Sequence, residues 1–350
     1  MHDSIERMIA KNIAPGIQYL AVDAGRTVCD CVGGWADVAR QERMEQGTTM
    51  MLYSMSKTFT AAAVLQLVES GRIDLDERVR TFLPDIPYGD VLTVRHLLSQ
   101  TSGIPNPIPL RWVHLAADHS GFDEQAALSE VMQRNSRLKF PPGAKYGYSN
   151  IAYWLLGKII EQSAGTAFGP YLRKNIFDRL GLSPSEIDVV IPSPAHHAKG
   201  YIPKYSLLDL LKPFLLDTRF LGGREGRWFS IEDHYVNGPA FGGIVASGRM
   251  VAAFLRDQLQ ERSVLFGSGA RRLFYEQQKN NAGVPVPMTL GWHIGTANGT
   301  RYYFKEGGGG GFHGEMRIYP DAGIATVALA NSATFKARKV LDALDRTLPA

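Results

Sequence analysis

The chain has 350 residues, of which 45% are hydrophobic, and its formal net charge is +4. A chain of this length can bury one large core or two smaller ones. It has no run of lysine and arginine with interleaved aromatics, which argues against a nucleic-acid partner. No stretch approaches the roughly 18 apolar residues of a membrane span.

The N-terminus suggests a cellular compartment, and the cysteines and histidines indicate no metal site. Residues 1–7 contain no apolar segment typical of an export signal, so a complete chain would be cytoplasmic, whereas a trimmed export signal stays open. Cys29 and Cys31 lie two apart, which matches neither Cys-x-x-Cys nor a metal motif. The histidines, His196, His197 and His313 included, also lack metal spacing. The sequence therefore predicts no metal and no cofactor.

The N-terminal part predicts the start of a sheet and then a buried helix. Residues 17–22 and 27–33 are apolar-rich and flank a turn at 23–25, a pattern typical of a β-hairpin. Residues 55–69 are apolar on more than one side, so their helix should cross the protein centre. Ser54 precedes this helix, and Lys57, three residues further on, should lie beside the Ser54 hydroxyl.

The middle of the chain alternates between helices and loops. Helices are predicted at 94–98, 123–134 and 151–165, and the last of them follows Tyr148-Ser149-Asn150. An apolar insert at 207–216 is interpreted as a short packed helix broken by Pro213, or as a lid or the wall of an acyl pocket. A membrane-surface role is the least favoured interpretation.

The final third returns to strands, which are predicted at 289–295, 301–305, 312–319 and 324–330, before a helix at 333–348. Strands at both ends predict an α+β fold, with one antiparallel sheet built from both termini, flanked by helices, and an inserted all-helical region. The sheet domain would comprise residues 1–60 and 235–350. The helical domain would comprise residues 61–234, with a less familiar insert at about 204–237.

Three short motifs carry the chemistry. They are Ser54-x-x-Lys57, Tyr148-Ser149-Asn150 and Lys305-Glu306-Gly307. Each is weak alone, because Ser-x-x-Lys arises by chance roughly once in a chain of this size, and the tyrosine and the strand lysine have ordinary structural roles. Together they supply a nucleophile, a base, a polar amide and a cation, which are the components of an acyl-transfer site.

These motifs resemble those of the serine β-lactamase and penicillin-binding-protein superfamily, and the chain is most similar to class C β-lactamases and family VIII carboxylesterases. Further matching runs lie at 15–16, 71–76, 96–98, 101–103, 142–143 and 242–243. The resemblance covers nearly the whole chain. It implies a sheet domain, a helical domain, and an active site in the cleft where Ser54 starts the central helix.

The resemblance also implies a role for each matching residue. Ser54 would attack the substrate carbonyl, while Lys57 and Tyr148 would share the general-base work, with Tyr148 held partly ionised by nearby ammonium groups. Asn150 would orient Lys57 or the substrate. The oxyanion hole would use the backbone N–H groups of Ser54 and Gly308, with Lys305 and Gly307 beside it.

One position departs from the family pattern, because Glu306 stands where the lactamases carry a threonine. An ionised carboxylate only accepts hydrogen bonds and would repel the carboxylate of a β-lactam. We therefore expect a serine hydrolase that forms an acyl-enzyme on Ser54, with carboxylesterase activity on a small ester or amide. The alternatives are a β-lactamase, a D-amino-acid peptidase or a non-catalytic sensor. The sequence does not predict the oligomeric state.

Overall fold

A computed structural model describes residues 1–107, 112–204, 217–297 and 299–348. In these ranges the chain combines helices with antiparallel sheets. The strands are β1 (Gly16–Asp23), β2 (Thr27–Asp37), β3 (Glu42–Arg43), β4 (Met50–Met51), β5 (Val113–Leu115), β6 (Ile187–Asp188), β7 (Gly200–Pro203), β8 (Leu221–Glu225), β9 (Trp228–Ile231), β10 (His234–Val236), β11 (Val245–Ala246), β12 (His293–Ala297), β13 (Thr300–Gly308), β14 (His313–Tyr319) and β15 (Ile324–Ala330).

The α-helices are α1 (His2–Ala10), α2 (Ser56–Glu69), α3 (Val79–Phe82), α4 (Val94–Leu98), α5 (Glu124–Arg134), α6 (Asn150–Ala164), α7 (Phe168–Leu172), α8 (Pro239–Gly242), α9 (Gly248–Leu259), α10 (Ser268–Tyr275) and α11 (Ala337–Leu344). None of these described helices is long and apolar enough to cross a bilayer.

The main sheet has seven strands in the order β12-β13-β14-β15-β1-β2-β3. The strand β15 pairs antiparallel with β1, with Ile17 opposite Ala330 and Asp23 opposite Ile324. The C-terminal strands therefore join the N-terminal hairpin in the middle of the sheet. This arrangement confirms the predicted fold class, an antiparallel sheet built from both termini and flanked by helices.

Helices cover both faces of this sheet. On one face α1 and α11 form a core cluster with side chains of β1 and β15, including Ile5, Tyr19 and Leu341. On the other face α9 packs on β1 and β15. The ring of Phe254 in α9 lies 4.1 Å from the ring of Phe59 in α2. The helix α2 is thus held in the main core, and its residues 56–65 are all buried.

One detail of the prediction is wrong, because the middle of the chain is not all-helical. Five short strands, β5 to β9, lie between residues 113 and 231. Two of them, β8 and β9, form a hairpin around Gly226, whose φ of 58° suits a tight turn. The strands are only two to five residues long, so no alternating pattern develops. The apolar insert at 207–216 lies outside the described residues.

Asn331 is fully buried just after β15 and joins the sheet to the segment that leads into β7. Its Oδ1 accepts a hydrogen bond from the Gly16 N–H at 2.7 Å. Its Nδ2 lies 3.0 Å from the Trp35 carbonyl and 3.1 Å from the Lys199 carbonyl. One side chain thus fixes the positions of β1, β2 and the start of β7.

Replacing Asn331 with alanine should therefore lower the free energy of unfolding by about 2–3 kcal/mol, because buried backbone groups would lose their partners. Urea unfolding of the variant measures this loss. Gln46→Ala removes an exposed amide from the loop between β3 and β4 and serves as the control. Equal stability of the two variants would contradict the role given to Asn331.

Candidate active site

Ser54 lies in the single turn of 3₁₀ helix, Tyr53–Met55, that leads into α2. Its Oγ lies 3.0 Å from the Lys57 Nζ and 2.7 Å from the Tyr148 hydroxyl. The spacing of three residues brings Lys57 to this hydroxyl, as predicted, because it corresponds to about one helical turn. Tyr148 reaches the same oxygen from a distant part of the chain. The hydroxyl of Ser54 is therefore flanked by two groups that can exchange a proton with it.

The Lys57 side chain is fully buried, and its Nζ has three hydrogen-bond partners. Its Nζ donates to the Asn150 Oδ1 at 2.7 Å and to the Phe241 carbonyl at 2.6 Å, in addition to its contact with Ser54. The amide oxygen and the carbonyl can only accept hydrogen bonds. A neutral amine would spend both of its N–H groups on these two acceptors, which leaves its lone pair for the Ser54 hydroxyl.

The loop before α6 holds Tyr148 and Asn150 in place. Ser149 is the N-cap of α6, and its side chain accepts from the Ala152 N–H. The buried side chain of Gln100 bonds both the N–H and the carbonyl of Ser149. The Asn150 N–H donates to the Asn106 Oδ1 at 3.0 Å. These bonds explain how a loop residue such as Tyr148 keeps a defined position.

The third motif lies on β13, which passes directly against the nucleophile turn. A Cβ atom on Gly307 would lie 2.1 Å from the Leu52 carbonyl and 3.0 Å from the Ser54 nitrogen, so only glycine fits there. Gly308 follows and lines the same cavity as Ser54. Lys305 is fully buried on the same strand, with its Nζ 5.9 Å from the centre of the Tyr148 ring.

Burial sets the protonation of these groups. Desolvation, followed by the nearby charge of Lys305, holds the pKa of Lys57 well below its ordinary value. Burial lowers the pKa of Lys305 to about 7, and its Nζ has no hydrogen-bond partner among the described residues. Burial raises the pKa of Tyr148, which outweighs its bond to Ser54. The raised pKa favours a protonated phenol, in contrast to the expectation of a partly ionised Tyr148.

A cavity of about 480 Å³ opens above Ser54. Two groups of side chains line it: Tyr148, His293 and Phe304, which are aromatic, and Glu306, His313 and Arg338, which are polar. His293 stacks on Phe304, with ring centres 5.2 Å apart. Its pKa is lowered by burial and by the charges of Lys305 and Lys57, so the ring is neutral. This group provides an apolar wall beside the nucleophile.

The polar wall is organised around Glu306. The His313 Nε2 donates to the Glu306 Oε1 at 3.0 Å, and the Arg338 guanidinium lies 3.4 Å from the Oε2. The bond from His313 is the main reason why the pKa of Glu306 is lowered. Arg338 also lies 3.5 Å from Glu315, so carboxylates already surround this cation. The cavity thus contains an ionised carboxylate that His313 and Arg338 hold in place.

The structure brings together all seven residues predicted for the site: Ser54, Lys57, Tyr148, Asn150, Lys305, Gly307 and Gly308. Their catalytic roles stay predictions. Sequence reasoning missed the Phe241 carbonyl, His293, Arg338 and the partnership of His313 with Glu306. Only His313 had a usable signal, because the glycine-rich turn between two predicted strands places it opposite Gly308. Among the described residues no group of three or more His, Cys, Asp or Glu could hold a metal ion.

Comparison with known proteins identifies one family along nearly the whole chain. A family model described as Beta-lactamase matches residues 3–348. Penicillin-binding protein 4* of Bacillus subtilis (strain 168) is 30% identical over 187 residues, which cover 52% of this chain and 41% of that protein. Protein flp of Staphylococcus aureus (strain COL) is 27% identical over 216 residues, or 60% of this chain and 42% of that protein. The chain thus spans about two fifths of the length of these curated relatives.

Solved structures share the fold. The octameric penicillin-binding protein homologue from Pyrococcus abyssi superimposes with a TM-score of 0.79 at 23% identity, over 99% of this chain and 76% of that chain. The D-amino acid amidase from Ochrobactrum anthropi SV3 complexed with L-phenylalanine has a TM-score of 0.80 at 20% identity, over 99% of this chain and 96% of that chain. At these identities the likeness establishes the fold alone.

The buried Lys305 predicts a pH dependence of stability. An unfolded lysine binds its proton near the ordinary pKa of 10.5, whereas Lys305 in the folded chain has a pKa of about 7. Between these values the unfolded chain binds more protons, so the contribution of Lys305 to the free energy of unfolding falls as the pH falls from 10.5 to about 7. Lys305→Met should remove this contribution and raise the stability at neutral pH.

Urea unfolding at about pH 7 and about pH 10 measures this difference. Lys11→Met replaces an exposed lysine and is the matched control, for which we expect no change in pH dependence. A Lys305→Met variant with the pH dependence of the wild type would contradict the buried, easily deprotonated state of Lys305.

Proposed function

Since this chain belongs to the beta-lactamase family of serine hydrolases, we propose that it is a carboxylesterase that forms an acyl-enzyme on Ser54. One observation carries the catalytic part of the proposal. The Ser54 Oγ lies within hydrogen-bond distance of both the Lys57 Nζ and the Tyr148 hydroxyl. A serine hydroxyl needs a neighbouring base, and a lysine with a lowered pKa can act as one.

In the first step Ser54 attacks the ester carbonyl carbon, and its proton passes to the lone pair of Lys57. Asn150 and the Phe241 carbonyl bind the other two hydrogens of the resulting ammonium group. The carbonyl oxygen becomes an oxyanion, which the N–H groups of Ser54 and Gly308 stabilise. Lys57 thus gains charge where three acceptors already surround it.

In the second step the bond to the leaving group breaks, and the alkoxide takes a proton. The Tyr148 phenol, which burial keeps protonated, donates this proton and is reprotonated from Lys57. Water then attacks the acyl carbon and gives its proton to the same pair of groups. The bond between the acyl carbon and the Ser54 Oγ then breaks, and Ser54 takes the proton back from Lys57 and Tyr148 as the carboxylic acid leaves. Every group thus returns to its starting state.

The preference for neutral esters rests on the polar wall of the cavity. Glu306 is ionised, and Arg338, the cation nearest to it, lies between two carboxylates. Among the described residues that line the cavity, no cation is left to receive the carboxylate of a β-lactam or a peptide. The Glu306 carboxylate would repel such an anionic substrate but not a neutral ester, and a neutral ester needs no cation for binding.

Labelling with a fluorophosphonate tests for an active nucleophile. Mass spectrometry should find one adduct, on Ser54, and none in Ser54→Ala. Lys57→Met should slow labelling by roughly 100-fold or more, because a positioned general base contributes at least that factor. An unlabelled but folded wild-type protein would support a non-catalytic sensor instead.

Steady-state assays test the substrate preference. We expect the wild type to turn over a p-nitrophenyl ester much faster than nitrocefin or a D-Ala-D-Ala peptide. Glu306→Thr should raise nitrocefin turnover relative to the ester by on the order of tenfold, because it removes a like charge and restores a hydroxyl. Glu306→Gln removes only the charge and separates the two effects. Faster turnover of nitrocefin than of any ester by the wild type would overturn the esterase assignment.

A further inference from the structure

Tyr53, immediately before the nucleophile, links the turn of Ser54 to the glycine-rich segment that follows β13. Its hydroxyl lies 3.0 Å from the Gly310 carbonyl and 2.9 Å from the His234 Nε2. We propose that Tyr53 and His234 are positioning residues, which hold the N–H groups of Ser54 and Gly308 in register as one oxyanion hole. This role rests on the proposed acyl-transfer function.

The backbone of Tyr53 indicates that its position is imposed by tertiary contacts. Its φ of 45° lies in the left-handed region, which bulky residues rarely adopt. The adjacent residue is Ser54, so the same conformation orients the N–H of the nucleophile. A conformation of this kind persists only where the surroundings hold it.

The ring of Tyr53 packs closely against the glycine segment. A Cβ atom on Gly309 would approach the Tyr53 ring to 2.3 Å, so no side chain fits between them. Gly309 directly follows Gly308, and its own N–H donates to the Phe312 carbonyl at 3.1 Å. The Tyr53 ring therefore packs against Gly309, the neighbour of one proposed oxyanion donor, Gly308. The backbone of Tyr53 leads directly into the other donor, Ser54.

The hydrogen bonds of His234 fix which atom donates. The His234 Nδ1 lies 2.8 Å from the Glu232 carbonyl, which can only accept, so Nδ1 carries the hydrogen. Burial lowers the pKa of His234, and the Nε2 of the neutral ring then accepts from the Tyr53 hydroxyl. The Gly310 carbonyl shares that hydrogen. The phenol is thus anchored to the strand β10 on one side and to the glycine segment on the other.

The hydrogen bond between Tyr53 and His234 connects the insert at about 204–237 to the turn that carries Ser54. His234 opens β10 and is almost fully buried, with Phe220 packed edge-on against its ring at 5.9 Å. The less familiar part of the chain therefore supplies the support for Tyr53. Without this support the glycine segment would lose the partner that holds its distance from Ser54. A displacement of about 1 Å in such a site can cost on the order of 100-fold in rate.

Removal of the phenol hydroxyl tests the proposal with little disturbance of packing. Tyr53→Phe should lower kcat for a p-nitrophenyl ester by on the order of tenfold and leave KM nearly unchanged, because an oxyanion forms only in the transition state. His234→Leu should act alike, and His234→Gln, which keeps an acceptor, should recover part of the loss. The double variant Tyr53→Phe/His234→Leu should be no worse than the single variants.

Tyr235→Phe is the matched control, because this neighbour on β10 loses one hydroxyl contact to the Ile191 N–H, away from the site. Hydrogen exchange of the peptide that contains Gly309 gives a readout that needs no turnover. It should quicken in Tyr53→Phe and stay unchanged in Tyr235→Phe.

Two results would separate the proposals. If the wild type turns over esters and Tyr53→Phe matches it in kcat and in exchange, the positioning role is overturned. If the wild type neither reacts with fluorophosphonate nor turns over any ester, the proposed function fails, and exchange at Gly309 still decides whether the Tyr53 anchor exists.

Discussion

The site depends on placing an amine where water cannot reach it. Lys57 is fully buried, and its three neighbours are the Ser54 hydroxyl, the Asn150 amide and the Phe241 carbonyl. Burial disfavours the ammonium form, whereas the two acceptors stabilise it once it forms. The proposed function needs both effects, because a neutral amine can accept the proton of Ser54 and the resulting ammonium group is then hydrogen-bonded. The helices α2, α6 and α8 supply Lys57, Asn150 and the Phe241 carbonyl, respectively.

The antiparallel sheet provides the second half of the site. The strand β13 crosses the start of α2 so closely that Gly307 has no room for a side chain. Close packing of this kind needs a rigid frame, and the pairing of β15 with β1 in the centre of the sheet supplies it. Asn331 extends the frame to β7 through its bonds to Gly16 and Lys199. The distance between nucleophile and strand is thus set by the whole sheet.

Two further features lie next to the nucleophile and the strand β13. Glu306 lines the cavity with His313 and Arg338 as partners, so these two residues hold an ionised carboxylate in the cavity wall. The hydroxyl of Tyr53, the residue before Ser54, is hydrogen-bonded to His234 of the insert at about 204–237. Glu306 lies inside the third motif, and Tyr53 directly precedes Ser54. They are the places where we expect specificity to differ within the family.

Hydrophobic periodicity and turn residues are local signals, and they predicted the fold class, the central helix and the N-terminal hairpin. The three motifs were also visible in the sequence, whereas Gly308 and the role of each site residue came from the resemblance to a known family. The contact of Ser54 with Lys57 was also predictable, since it lies within one helical turn. The raised pKa of Tyr148, the hydrogen bond from Lys57 to the Phe241 carbonyl and the pairing of Glu306 with Arg338 became visible only in the folded chain. The reason is physical: burial and the contacts of distant segments set these properties, and neither is written in local sequence.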